Sequence, residues 1–346
     1  VPTPDRRRDQ KRSGDTPSPK FIDLFAGCGG LSLGLLMAGW DGIFAIEKNK
    51  DAFNTLSTNL IDKRKPSFSW PEWLPQKACT TAKLLSQYED QLKQLKGKID
   101  LVAGAPPCQG FSLAGRRIYT DPRNSLFRQY LAVVKMLEPR FILLENVQGF
   151  DFPFVKNGTG IERKRPYSQI LKKKLETLGY IVFPDFIDFS DFGVPQHRCR
   201  FILIAIRKDD PAALKLKEGS PFDILKSYRR RFLSSKRLPA DRPVSCKEAI
   251  KDLETKGRQL VPSPQERIRA FVQLEYKTPN STTAYACLMR KKAATAPNSQ
   301  QLSPSDIGLT VYVSKSAEAV NLAGLGQALS REIGDVKVSI EATREP

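Results

Sequence analysis

One cysteine, one glutamate and a pair of arginines stand where this sequence could do covalent or acid–base chemistry. Cys108 lies in Gly104-Ala105-Pro106-Pro107-Cys108-Gln109-Gly110-Phe111-Ser112, directly after a short apolar run. Two prolines stiffen the chain as it leaves that run, and open α/β sheets hold their ligands at the carboxyl ends of the strands. Most cysteines are inert buried hydrophobes, but a stiff turn at that edge is a poor place to bury one. The expected role is a nucleophile. With no histidine nearby, local positive charge, loop amides or the substrate itself would have to activate it. Glu145 ends the run FILLE, so the expectation is a desolvated carboxyl that can hold a proton, against the plainer reading of a surface acid capping the next helix. In V194-P-Q-H-R-C-R-F, alternation at period two places Arg198 and Arg200 on one face, where both guanidinium groups could serve one site. A phosphate clamp or an ordinary salt bridge is the alternative. His197, on the opposite parity, reads as structural.

A second constellation lies at the start of the chain. The run FIDLF opens into Ala26-Gly27-Cys28-Gly29-Gly30 and then a helical pattern. Glycines there let the backbone turn sharply and approach a ligand, although they also serve simply to pack a helix on a sheet. Glu47 ends the next apolar run, 20 residues after Gly27, where a carboxylate can accept hydrogen bonds from ribose hydroxyls. Together the two features favour a nucleoside-containing cofactor without identifying it.

The elements that must position these residues follow from periodicity. Apolar runs at 21–25, 43–47, 99–103, 141–145, 180–186 and 200–206 suit strands buried on both faces. Segments 31–39, 125–137 and 167–178 have the three-and-four spacing of amphipathic helices. Alternation of the two predicts an α/β fold with a doubly wound, Rossmann-like parallel sheet. Beyond Arg207 the character changes: residues 207–300 hold 21 Lys or Arg against 10 Asp or Glu, a net +11, with many prolines. The expected division is a flexible basic tail at 1–19, a catalytic and cofactor-binding domain at 20–207, an irregular basic region at 208–310 and a carboxyl-terminal segment at 311–346.

Composition removes whole classes of function. A single histidine in 346 residues excludes histidine-rich metal sites, and the six cysteines at 28, 79, 108, 199, 246 and 287 contain no CxxC pair, so no metal site is expected. They read as reduced thiols of a cytoplasmic protein. Residues 1–20 are polar, without the apolar stretch of a secretory signal, and no run approaches the eighteen or so apolar residues of a membrane span. A net charge of +19 makes an acidic partner the first hypothesis.

Taken in order, FIDLFAGCGGLSLG, GAPPCQGFS, DPRNSLF, LLENVQGF and VPQHRCRF resemble the DNA (cytosine-5-)-methyltransferases. The resemblance implies an S-adenosylmethionine-binding fold followed by a target-recognition region, matched by 208–310. Cys108 would attack carbon 6 of a cytosine flipped out of double-stranded DNA, and Glu145 would hold or protonate ring nitrogen 3. Arg200 would help hold the flipped base and the cysteine loop, with Arg198 its neighbour in the motif. Phe25, Gly27, Cys28, Gly30, Glu47 and Leu126 would surround the cofactor. The same resemblance implies DNA methylation as the modification half of a restriction-modification system, a cognate endonuclease acting on the same site, a monomer and a nucleoid-associated location. Two departures stand out. The family's Gly-Asp-Ile element, which touches adenine, corresponds to A78-C-T-T-A-K without the acid, and its Gly-Asn run near the end finds only S316-A-E-A-V-N-L-A-G-L-G. A shortened or rearranged carboxyl region is therefore expected. An inactive nucleic-acid-binding remnant and an RNA cytosine methyltransferase remain the alternative readings.

Overall fold

The computed structural model describes residues 17–61, 68–107, 126–155, 163–216, 219–251, 260–262, 272–274 and 283–286. Their elements run β1 (Lys20–Leu24), α1 (Gly30–Met37), β2 (Asp41–Ile46), α2 (Lys50–Leu56), α3 (Thr81–Gln87), α4 (Glu89–Gln94), β3 (Leu101–Gly104), α5 (Leu126–Leu137) and β4 (Phe141–Val147). There follow β5 (Phe154–Val155), β6 (Arg163–Lys164), α6 (Tyr167–Thr177), β7 (Tyr180–Asp188), β8 (Cys199–Arg207), α7 (Pro211–Leu216), α8 (Pro221–Ser235), α9 (Cys246–Ile250), β9 (Leu260–Pro262) and β10 (Val272–Leu274). Cys108, the tail at 1–16 and the segment around 316–333 lie outside the described residues.

The described residues fall into two units, one drawn from 1–187 and 199–225, the other from 188–198 and 226–346. The first is built on a six-stranded sheet in the order β2-β1-β3-β4-β8-β7. Strands β1, β2, β3 and β4 pair in parallel, as expected for runs buried on both faces, but β8 pairs antiparallel with β4. The sheet is therefore mixed, where the sequence pattern alone predicts a parallel one. Its order reverses between β1 and β3, so the chains leaving these two strands diverge and open a crevice at their carboxyl ends.

Core side chains lie on both faces. Ile22, Leu24, Phe44, Val102, Ile142, Leu144 and Leu203 are buried together with Tyr130, Val133 and Leu137 of α5. On the other face Phe21, Ala45, Leu101 and Ala103 pack with Phe53 and Leu56 of α2. Helix α5 buries Phe127, Tyr130, Val133, Val134 and Leu137, the three-and-four stripe its sequence predicts. Tyr130 is fully buried, and its hydroxyl donates to the Val102 carbonyl at 3.0 Å, which anchors α5 to β3.

In the second unit, Leu233, Leu238 and Val244 form a small apolar cluster, and Arg229 donates to the Asp191 carbonyl at 2.7 Å. Helix α9 opens with a capping box between Ser245 and Glu248. Arg242 reaches both oxygens of Glu248 at 2.8 Å, and this guanidinium pairing, with the Ser245 amide, holds the Glu248 carboxyl down at about 2.

Gly104 ends β3 at the closest approach of three elements. A Cβ there would lie 2.8 Å from both the Leu24 carbonyl oxygen and Tyr130 Cε2. Gly104→Ala is expected to lower the unfolding free energy by about 1–3 kcal/mol, read from urea denaturation, because neither the strand nor the buried ring has room to move. An unchanged midpoint would show that the crevice floor is looser than its packing indicates.

Candidate active site

Strand β4 carries the acid and the anchor of the neighbouring loop on opposite faces. Its residues alternate half-buried and buried from Phe141 to Val147, with Glu145 on the half-buried face and Asn146 only 1% exposed on the other. Against β8 the register pairs Glu145 with Ile202 and Val147 with Arg200. Arg200 is thus diagonal to Glu145 on the same face, within reach of a long side chain. Its Nε lies 3.0 Å from Glu145 Oε1, with the two side chains 19% and 26% exposed. The fully desolvated acid that the apolar run predicts is instead a half-buried acid in an ion pair.

Arg198 is exposed and lies just outside the strand. It precedes β8, in the second unit, where its backbone N–H donates to Asp188 Oδ1 at 3.1 Å and its carbonyl accepts from Phe189. Period-two alternation reaches Arg200 and stops at Cys199, because the strand begins there. His197 faces Asp188 and Ser190 at 3.3 and 3.2 Å. Amide donors from Ser190 and Arg198 hold the Asp188 carboxyl down at about 2, which makes this turn a structural anion site satisfied from within.

Asn146 was not legible as a functional residue. Its amide Nδ2 donates to the Pro106 carbonyl at 3.0 Å and its Oδ1 accepts from the Val147 N–H at 2.9 Å. One buried side chain therefore ties β4 to the Pro106-Pro107 turn that leads into Cys108. The signal was its position beside Glu145, since a strand residue next to a half-buried acid must point into the sheet's other layer.

The glycine turn and Glu47 form the second part of the site. Phe25 takes a φ of 60°, and Gly27 and Gly29 follow at 55° and 87°, so the chain winds through the left-handed region before α1 starts at Gly30. A Cβ on Gly29 would meet the Leu60 and Leu56 side chains at 2.9 and 3.0 Å. Glu47 Oε2 accepts from the Gly27 N–H at 2.9 Å and its Oε1 from the Asn49 N–H at 2.7 Å. Cys28 is an exposed free thiol on the turn. Beneath it the Ser32 hydroxyl donates to Asp23 Oδ2 at 2.6 Å, joining α1 to β1, and both residues are fully buried.

A cavity of about 450 Å³ opens at the reversal of strand order, lined by Phe25, Ile46, Glu47, Lys48, Cys79, Thr80, Thr81, Ala82, Ala105, Pro107, Leu126 and Gln129. The expected cofactor residues Phe25, Glu47 and Leu126 line it, while Gly27 reaches it through its hydrogen bond to Glu47. Burial pushes the Cys79 thiol up, so it stays neutral at pH 7. Two of the lining residues, Thr81 and Gln129, each also carry a buried side-chain oxygen without a hydrogen-bond partner among the described residues. Apolar walls and a positioned carboxylate together fit a nucleoside-bearing ligand. Among the described residues no cluster of His, Cys, Asp or Glu could hold a metal ion, and no helix is long and apolar enough to cross a membrane.

Residues 19–317 match the family model for C-5 cytosine-specific DNA methylases. The chain belongs to this family. Among its relatives, it is 36% identical over 191 residues to the type II methyltransferase M.DdeI of Desulfomicrobium norvegicum, covering 55% of this chain and 41% of that protein. It is 29% identical over 280 residues to M.AgeI of Thalassovita gelatinovora, covering 78% and 57%. The chain thus spans about half the length of the curated relatives it matches. A crystal structure of the S. pombe Dnmt2 methyltransferase is 20% identical with a TM-score of 0.43, over 61% of this chain and 54% of that one.

Two expectations follow for this methylase fold. Asn146→Ala leaves the buried Pro106 carbonyl without its donor and should cost about 1–3 kcal/mol in denaturant melts, with faster amide exchange in the turn that follows β3. Asp23 gives a pH signature. Burial pushes its carboxyl up to about 6, above its ordinary value near 4, so the contribution it makes to stability is full below pH 4 and is lost as pH rises through 6. Between pH 4 and 7 the wild type should lose about 2 kcal/mol relative to Asp23→Asn. Parallel pH profiles for the two proteins would show that Asp23 is not the group responsible.

Proposed function

We propose that the protein transfers a methyl group to carbon 5 of a cytosine flipped out of double-stranded DNA, through a covalent adduct with Cys108. The observation that carries this reading is the junction at β4. Glu145 presents its carboxyl beside Arg200 on one face, and Asn146 grips the turn leading to Cys108 from the other. The same turn supplies Ala105 and Pro107 to the lining of the cavity.

Cytosine is a poor electrophile until ring nitrogen 3 is protonated or strongly hydrogen-bonded. Glu145, carrying a proton, donates to that nitrogen and transfers the proton as carbon 6 is attacked, and Arg200 holds the carboxyl's position on the strand face. With nitrogen 3 so held, the Cys108 thiolate adds to carbon 6 and the electron pair of the 5,6 double bond becomes available at carbon 5. Once carbon 5 carries the methyl group, a solvent water takes the carbon 5 proton, that electron pair re-forms the 5,6 double bond, and the carbon–sulfur bond breaks to release the Cys108 thiolate, while nitrogen 3 returns its proton to Glu145. Flipping is required because both faces of carbon 6 are covered by stacking in a duplex.

S-adenosylmethionine, when bound, supplies an electrophilic methyl group. Glu47 would hold its ribose hydroxyls, the Phe25–Gly30 turn would surround it, and Leu126 would pack against it. The basic region at 208–310 would grip the DNA backbone and read the target, where neutralised phosphates make binding salt-dependent. The type II relatives make the modification arm of a restriction-modification system the biological setting we assign, with a monomer acting in the cytoplasm on the nucleoid and a cognate endonuclease sharing the site.

Incubation with labelled S-adenosylmethionine and separate DNA and RNA pools tests the reading. Label should enter duplex DNA at cytosine, and bisulfite sequencing of DNA from expressing cells should return one target sequence. Cys108→Ala should abolish transfer, and Glu145→Gln should reduce it by 10²- to 10⁴-fold, of the order expected for a lost general acid. Label in RNA alone would move the substrate to RNA. Transfer that survives Cys108→Ala would defeat the covalent route.

A further inference from the structure

Helix α5 carries a second stripe opposite its core side. Phe127, Tyr130, Val134 and Leu137 are buried, whereas Arg128, Leu131, Ala132 and Lys135 recur at the same three-and-four spacing on the other side of the helix. Helix α6 repeats the arrangement: Leu171 and Leu175 are buried, while Ile170, Lys173, Lys174 and Thr177 share its outward side. The two outward stripes, with Arg165 and Leu178, line one groove of about 590 Å³. Its apolar residues, Leu131, Ala132, Ile170 and Leu178, are half-buried, and its five cations are exposed. No acid lines it. Helix α5 contains no acid at all, and the one acid of α6, Glu176, lies 3.8 Å from Lys172. None of the five cations has a carboxylate partner among the described residues. They also stand apart from the basic region at 208–310, since all five belong to the six-stranded unit.

We propose that this groove docks an acidic amphipathic helix of a partner protein. Apolar side chains at three-and-four spacing would enter between α5 and α6, and carboxylates on both flanks would meet the cations of the two helices. Arg128 and Lys135 stand seven residues apart on α5, about 10 Å along its axis, so about two turns of a partner helix span the site. Other occupants fit less well. A second copy seated on the same groove by a two-fold axis would set cations against cations. Duplex DNA offers phosphates but no apolar side chains for Leu131 and Ile170 to cover. Single strands bind by stacking on aromatic rings, and the lining has none.

Fluorescence anisotropy on the full chain, at about 0.15 M salt to screen unspecific attraction, tests the proposal. The probe is a labelled helical peptide of about 16 residues, some four turns, whose leucines recur at three-and-four spacing between flanking glutamates. A permuted peptide of the same composition lacks the stripe. The striped peptide should bind at least about tenfold more tightly than the permuted one, because it alone presents a continuous apolar face. Lys135→Glu combined with Lys173→Glu should weaken it by about tenfold or more, and Ile170→Ser by roughly fivefold, in proteins whose thermal melts match that of the wild type. The affinity of the charge-reversed protein for duplex DNA should stay within about fivefold. Equal binding of the two peptides, binding of neither, or an affinity that survives both the charge reversal and Ile170→Ser overturns the proposal. A charge-reversed protein that keeps the striped peptide and loses duplex DNA by more than about tenfold overturns it too, and makes the groove a nucleic-acid surface.

Discussion

The antiparallel pairing of β4 with β8 is the constraint on which the rest of the site depends. Because side chains alternate along a strand, the register that sets Glu145 opposite Ile202 also decides that Arg200 lies diagonal to it and that Asn146 points the other way. A slip of one residue would send the acid into the layer now filled by Ile142, Leu144 and Leu203, and carry the amide out of reach of Pro106. The register is well specified, since that layer is almost wholly apolar and fully buried. Far from the site, Arg140 binds Asp210 at 2.6 Å and Asp100 at 3.2 Å, which pins the start of β4 between neighbouring elements. The acid and the anchor of the Pro106-Pro107 turn are thus placed by one strand pairing.

How much of this was legible in the residues differs from one part to the next. The six strands could be read from short apolar runs, even though β1 carries the buried Asp23 and β7 exposes alternate residues. The direction of β8 could not be read, since a parallel and an antiparallel strand of this kind carry the same pattern. Glu47 was legible through its spacing from Gly27, and the structure adds the hydrogen bond that explains the spacing. Asp23 and Ser32 were not, because an acid inside an apolar run has no local partner in sequence; its hydroxyl partner lies nine residues on and across a turn. The arginine pair shows the limit of periodicity. Alternation holds only while the strand lasts, and Arg198 stands one residue outside it.

Charge and chemistry also separate along the chain. The residues that hold Glu145, the glycine turn and the cavity belong to the six-stranded unit, whereas the basic excess is greatest after Arg207. The ion pairs of the second unit, such as Arg242 with Glu248, are local and close, and so are the hydrogen bonds around Asp188. Such self-contained turns let a region vary in sequence without disturbing a strand register elsewhere.

Glu47 carries one more consequence. A free glutamate on a surface samples many rotamers, and fixing it on a ligand forfeits about 1.5–2 kcal/mol of side-chain entropy. Here both carboxylate oxygens are already held by backbone amides two and twenty residues away. That entropy is surrendered when the chain folds, so the rigidity of a glycine turn is converted into affinity for whatever hydroxyl groups the carboxylate receives.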